Sequence, residues 1–337
     1  MTKKILTILM ALALTLAATT AAFATEPGGT TPPTYTDMET VTITKNYNAA
    51  NSGMNSPAET FRFTIAPASV TDAADGVTVD NMPVPAIGSV AYAAGEAGSA
   101  NKAKEITVTL PTYTSVGVYT YTIRETAGTT AGVTYYGDDI RLVVTVIQAA
   151  DNKLRVAAVH TEAAGAAGKS DAFANVYEAG SLSVRKAVTG NMGDREKHFD
   201  VTVTFTAPAG KTVNEAITYT EGDATRSIAA SAWVNGTASA TISLKHDQTV
   251  TFTNIPYGVT YTVAEADYTG EGYDAARYAF DDSNRTIDSA AEGVTITNNK
   301  GVTVDTGITL DSAPYILLLA VAAIGVAAML RKRRHEA

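Results

Sequence analysis

Two short stretches of this 337-residue chain share one pattern, and that pattern constrains what the rest can fold into. Val41-Thr-Ile-Thr-Lys45 and Leu182-Ser-Val-Arg-Lys186 alternate apolar and polar residues, and each reaches a lysine where the alternation calls for an apolar side chain. Successive side chains of an extended strand point to opposite faces. Val41, Ile43 and Lys45 therefore share one face, as do Leu182, Val184 and Lys186. An ammonium on a buried face is costly unless a partner compensates it or it gives up its charge. The fold must bring something to each lysine.

The text around these stretches is strand-like throughout. Short Val/Ile/Thr/Tyr/Phe runs, such as Thr60–Ile65, Glu105–Leu110, Val118–Ile123 and Ile140–Ile147, are separated by Gly, Asn, Asp and Pro turns. The second half continues with Phe199–Phe205, Ala238–Leu244, Thr249–Phe252 and Val259–Val263, and Asn235-Gly236 offers a tight hairpin turn. Many short strands at this spacing predict an all-β fold of two tandem sandwiches.

The two halves repeat each other. Phe61-Arg-Phe-Thr-Ile-Ala-Pro67 is answered by Val203-Thr-Phe-Thr-Ala-Pro208, and Tyr121-Thr-Ile-Arg-Glu125 by Tyr261-Thr-Val-Ala-Glu265. The lysine-to-glutamate separation is 80 residues in the first half and 79 in the second. Each half closes on a strand ending in asparagine, Phe173-Ala-Asn175 and Val294-Thr-Ile-Thr-Asn298, which puts the boundary near Ala179-Gly180. Parity then places Glu125 and Asn175, and likewise Glu265 and Asn298, on apolar faces with the lysines.

A buried Lys–Glu–Asn set has a definite chemistry. Desolvation favours the neutral amine and the protonated carboxyl. The amine is then a nucleophile, and the carboxyl can hydrogen-bond the asparagine carbonyl and pass a proton to departing ammonia. The product would be a Lys–Asn isopeptide bond, formed once and assisted by proximity. The rival reading of the same residues is a buried ion pair beside a hydrogen-bonded amide, without covalent chemistry.

Both ends carry processing patterns. Lys3 and Lys4, an apolar run from Ile5 and the small-x-small site Ala22-Phe23-Ala24 predict a signal peptide over residues 1–24. A Pro/Gly/Thr-rich linker follows at 25–38. Residues 315–330 are apolar and run into Arg331-Lys-Arg-Arg334, the pattern of a membrane span with a cytoplasmic basic tail. Thr303-Val304-Asp305-Thr306-Gly307 precedes it, and the whole segment 301–337 resembles a Gram-positive sortase sorting signal, usually Leu-Pro-x-Thr-Gly. Thr303 and Val304 occupy the Leu and Pro positions. That resemblance implies cleavage between Thr306 and Gly307 by a sortase, with the Thr306 carboxyl passed to an amine.

Composition narrows the function further. There is no cysteine, so an exported chain has no disulfides to staple it. The segment 25–306 keeps 19 of the 25 basic and 32 of the 34 acidic residues, a net charge of about −13, which gives no footing for electrostatic nucleic-acid binding. His160, His198, His246 and His335 have no metal-ligand spacing, and no nucleophile–base pattern of a turnover enzyme stands out. No cofactor or metal is expected.

The linked motifs at Lys45, Glu125, Asn175, Lys186, Glu265 and Asn298, with the loop Gly190–Phe199, resemble the two-domain backbone (major) pilins of Gram-positive bacteria and their isopeptide-linkage domains, over about residues 38–307. The resemblance implies two immunoglobulin-like (CnaB-like) β-sandwiches at 39–179 and 180–300. It also implies bonds Lys45–Asn175 and Lys186–Asn298, assisted by Glu125 and Glu265 and joining the first strand of each domain to its last. Polymerisation by a sortase into a cell-surface pilus needs a second amine, which the resemblance places close before the last strand of the first domain, where Lys169 is the nearest fit. Partners would then be a sortase, further copies of the chain, peptidoglycan and accessory pilins, with the membrane met only through the C-terminal segment. A wall-anchored adhesin or stalk using the same domains without polymerising is the alternative.

Overall fold

Alternating burial along the strands decides the layering. In the computed structural model, which describes residues 37–51, 54–97, 102–164, 168–303 and 313–335, Val118–Glu125 buries every second side chain, and so does Phe199–Phe205. Such strands must put one face against another sheet.

The first ten strands are β1 (Thr40–Ala49), β2 (Glu59–Thr71), β3 (Ala86–Ile87), β4 (Val90–Tyr92), β5 (Lys102–Thr109), β6 (Gly117–Thr126), β7 (Val133–Thr134), β8 (Ile140–Gln148), β9 (Leu154–Ala163) and β10 (Ala172–Tyr177). They form two five-stranded sheets, ordered β3-β5-β1-β10-β7 and β4-β2-β6-β8-β9. Side chains of both sheets, including Ile43, Phe61, Ile106, Tyr121, Leu142 and Phe173, meet in one buried cluster.

The next nine are β11 (Ala179–Thr189), β12 (Phe199–Thr206), β13 (Ile217–Glu221), β14 (Ala224–Ile228), β15 (Thr237–Leu244), β16 (Thr249–Pro256), β17 (Thr260–Glu265), β18 (Arg277–Phe280) and β19 (Ala291–Asn299). They form a six-stranded sheet, β14-β13-β16-β11-β19-β18, and a three-stranded sheet, β15-β12-β17. Leu182, Val203, Ile242, Phe252 and Ile296 lie in their shared core. The architecture is all-β, two tandem immunoglobulin-like sandwiches, and the Asn235-Gly236 turn forms with both residues at positive φ, as a two-residue hairpin requires.

One topological feature recurs. β1 pairs parallel with β10, and β11 pairs parallel with β19, although all other ladder pairs are antiparallel. The first strand of each sandwich thus lies beside its last. Both lysine strands also run on past the lysine, to Ala49 and Thr189. Lys45 and Lys186 are therefore interior residues of their strands, and Asn175 is followed by two more strand residues.

Only Glu178 separates β10 from β11, and the β6–β7 connection reinforces this junction. Thr130 bridges Thr212, the Ala131 N–H donates to the Thr212 carbonyl at 2.8 Å, and Ala131 is buried in the second core. The helix α1 (Ala313–His335) carries a stretch, Pro314–Arg331, long and apolar enough to cross a membrane, with a mean hydropathy of 2.0. The expected signal peptide lies outside the described residues.

Gly132 sits at the junction with φ +75°, and a Cβ there would stand 2.5 Å from the Glu178 carbonyl oxygen. A left-handed backbone and a clash with main chain act together. Gly132→Ala is expected to cost about 2 kcal/mol and to lower Tm by roughly 4–8 °C in a thermal melt. An unchanged Tm would contradict this packing.

Candidate functional site

The parallel strand pairs set the geometry of both sites. Lys45 lies across from Phe173 and Tyr47 across from Asn175, so the lysine is offset by two residues from the asparagine on the neighbouring strand. In the second sandwich Lys186 lies across from Ile296 and Val188 across from Asn298, which is the same offset. The glutamates come from the facing sheets: Glu125 sits on β6, and Glu265 ends β17. Each site thus brings together three strands and two sheets, and it buries a lysine with no solvent exposure at all.

At the first site Lys45 Nζ donates to Glu125 Oε2 at 2.8 Å and to the Phe173 carbonyl at 3.4 Å. Glu125 Oε1 accepts the Asn175 Nδ2–H, while Asn175 Oδ1 accepts the Tyr136 backbone N–H at 3.0 Å. The carboxylate therefore touches the amine and the amide nitrogen. The expected contact between the glutamate and the asparagine carbonyl is absent: Glu125 meets the amide nitrogen, and the Tyr136 N–H meets the oxygen.

The second site is arranged differently. Lys186 Nζ donates to Asn298 Oδ1 at 2.6 Å, and also to the Ala187 and Ile296 carbonyls at 3.1 and 3.4 Å. Glu265 Oε1 stands 3.3 Å from the same nitrogen, yet neither carboxylate oxygen accepts a well-aligned hydrogen bond. A buried carboxylate without such bonds is expensive as an anion.

An aromatic ring closes each site. Lys45 Nζ lies 4.2 Å from the centre of the Phe61 ring, and Lys186 Nζ lies 4.3 Å from that of Phe199. A ring face tolerates a cation electrostatically while excluding water. Sequence reasoning missed this pair because the repeat was aligned on Ala66-Pro67 and Ala207-Pro208. Strand register corrects it: Phe63 pairs with Glu125 and Val201 with Glu265, which makes Phe61 and Phe199 equivalent positions two residues earlier. Counting back from the glutamate partner would have found them. Tyr136 was missed as well, since its contribution is a backbone N–H that no side-chain motif records.

Burial dominates the electrostatics. It lowers the Lys45 ammonium to about 8, against the pull of Glu125 in the other direction. It likewise lowers Lys186, and it raises the Glu265 carboxyl although the lysine charge opposes this. Both shifts in the second site favour a neutral amine facing a neutral acid.

Lys169 is exposed and stands between β9 and β10, three residues before the last strand of the first sandwich. Thr306 and Gly307 lie outside the described residues. Among the described residues no cluster of His, Asp and Glu could hold a metal ion.

The Lys45 shift carries a sign that can be measured. The folded value near 8 lies below the ordinary 10.5, so the unfolded chain binds the proton more tightly. The cost of burying the ammonium is fully present below pH 8 and shrinks as pH rises to 10.5. Asn175→Ala leaves Lys45 as a free amine. Relative to the Asn175→Ala/Lys45→Met double variant, that chain should gain up to ~3 kcal/mol across this window, read by urea unfolding at several pH values. A pH-independent difference would mean that Lys45 is not desolvated.

Comparison with known proteins finds matches over both sandwiches. Residues 41–178 match the family described as the Spy0128-like isopeptide containing domain, and residues 180–300 match a domain of unknown function, DUF7601. A curated protein named Pilin, from Streptococcus pyogenes serotype M1, is 28% identical over 318 residues, covering 87% of this chain and 90% of that protein. The crystal structure of the major pilin from Streptococcus pyogenes superposes with a TM-score of 0.55 at 25% identity, covering 79% of this chain and 100% of that one. The T3.2 major pilin of the same species, 19% identical, shares the fold with a TM-score of 0.54 and covers 79% of this chain and 99% of its own. Over residues 41–178 the chain carries an isopeptide containing domain, and over most of its length it is similar to the major pilins of Streptococcus pyogenes.

Proposed function

We propose that this chain is the backbone pilin of a Gram-positive pilus, each copy stiffened by two internal Lys–Asn bonds and joined to the next by a sortase. The observation that carries the reading is the repeated arrangement of first strand, last strand and facing glutamate. Lys45 and Asn175, and Lys186 and Asn298, occupy the same offset on parallel neighbours, and each pair is served by a buried glutamate. The division into domains at 39–179 and 180–300 follows from this repetition.

In each domain the lysine amine attacks the asparagine side-chain carbon, ammonia leaves, and Glu125 or Glu265 moves the protons. Each reaction happens once per molecule. Tension arriving at one end of a sandwich then passes through the covalent link between first and last strands without peeling the ladder between them. Export by the N-terminal segment brings the chain to the membrane, where α1 holds it until a sortase cuts between Thr306 and Gly307. The Thr306 carboxyl is passed to Lys169 of another copy, and the finished polymer is attached to the cell wall.

Two outcomes test this. Glu125→Ala and Glu265→Ala should each stop one bond and lower stability by roughly 4–5 kcal/mol, on the loop-entropy scale of a cross-link of this span; an unaltered denaturant midpoint would contradict the role assigned to the glutamates. Cell-wall extracts should show a high-mass ladder that Lys169→Ala abolishes. If the ladder persists in that variant, Lys169 is not the joining amine. If the unaltered chain makes no ladder, it is not a polymerised backbone.

A further inference from the structure

Attack on an amide carbon moves an electron pair onto the carbonyl oxygen. A fixed donor already aimed at that oxygen is among the strongest sources of acceleration available to such a reaction. At the first site that oxygen is Asn175 Oδ1, and it accepts the Tyr136 N–H at 3.0 Å. Tyr136 follows β7, which pairs antiparallel with β10 through Val133–Tyr177 and Thr134–Val176. The donor thus lies two residues beyond the strand that pairs with the one bearing Asn175. The Tyr136 ring also packs edge-on against Phe173 of β10, with centroids 5.2 Å apart. Backbone pairing and ring packing both hold the N–H in place before any reaction begins.

The other atoms of the site are already committed. Glu125 Oε1 takes the amide nitrogen that must leave, and Oε2 takes the attacking amine. A carboxylate bridging nucleophile and leaving group is an acceptor only and has no proton to offer the carbonyl oxygen. At the second site the Asn298 carbonyl oxygen instead accepts from Lys186 Nζ itself at 2.6 Å, and among the described residues no backbone N–H is seen on it. A lysine that gives up a proton in order to attack weakens the very contact that polarises its target.

We propose, resting on the Lys45–Asn175 linkage inferred above, that the Tyr136 backbone N–H is the oxyanion donor of the first cross-link, and that the second closes without such a donor. The Lys45 ammonium gives one proton to Glu125, and the freed electron pair forms the bond from Nζ to the Asn175 side-chain carbon. The carbonyl electrons move to Oδ1, held by the Tyr136 N–H. Glu125 returns its proton to Nδ2 and takes one from the new C–N nitrogen. The C–Nδ2 bond breaks as the carbonyl reforms, ammonia leaves, and Glu125 keeps the remaining proton or yields it to the ammonia as ammonium.

The test uses the full chain made by cell-free synthesis, quenched in acid at intervals and digested, with the two linked peptide pairs quantified by mass spectrometry. In the unaltered chain the first bond should close roughly tenfold or more faster than the second. An ester in place of the amide between Tyr135 and Tyr136 exchanges that N–H for an oxygen and keeps the tyrosine ring. It should slow the first bond by about 10²–10³-fold and leave the second at its usual rate. Protection of the β1 and β10 amides from hydrogen exchange shows that the first sandwich is folded in the ester chain. A folded ester chain that closes its first bond at the usual speed would overturn the assignment. So would an unaltered chain whose first bond is no faster than its second, a comparison that needs no variant. Absence of both linked peptides from the unaltered chain would instead overturn the linkage reading itself.

Discussion

A lysine ammonium with no access to water is the constraint on which each sandwich depends. Lys45 and Lys186 have zero exposure, in cores otherwise filled by Val, Ile, Leu, Phe and Tyr. Desolvating one charge in such a place costs several kcal/mol, and a buried ion pair recovers this only with good geometry and satisfied oxygens. The first site comes close, with a 2.8 Å contact to Glu125 and an asparagine on the second carboxylate oxygen. The second does not, since Glu265 accepts no aligned hydrogen bond. A buried pair in this state is a poor stabilising device. Converting it to an amide removes both charges from the core and leaves a neutral group that the same neighbours can satisfy.

The sheet topology brings each Lys–Glu–Asn set together. Parallel pairing of first and last strands is the exception in these otherwise antiparallel sheets, and it places two residues far apart in sequence side by side. The facing sheet then delivers the glutamate across the core, beside a phenylalanine from the neighbouring strand. Each sandwich must therefore be essentially complete before its three reacting groups meet. On the proposed chemistry, cross-linking would follow folding and could not trap a partly formed sheet with the strands misplaced.

Much of this was legible in the sequence. Period-2 alternation put Lys45, Glu125, Asn175, Lys186 and Asn298 on buried faces, and the near-equal Lys–Glu separations tied the halves together. Glu265 belongs to the same set, and its side chain is buried although it closes its strand. The equivalence of Phe61 and Phe199 was not legible, because the Lys186–Phe199 connection is three residues shorter than Lys45–Phe61 and the Ala-Pro pairs lie at an attractive but non-equivalent spacing. Nor was the Tyr136 donor, since a backbone N–H leaves no trace in residue identity. The strands also extend beyond the lysines and Asn175, because Tyr47, Val188 and Tyr177 continue the buried face.

The most direct measurement of the central claim is the intact mass of the folded chain. Two closed bonds predict a mass below that of the sequence by two molecules of ammonia, with Lys45→Ala and Lys186→Ala each restoring one. A chain at its full sequence mass would contradict the account and leave two buried ion pairs in place of two amides.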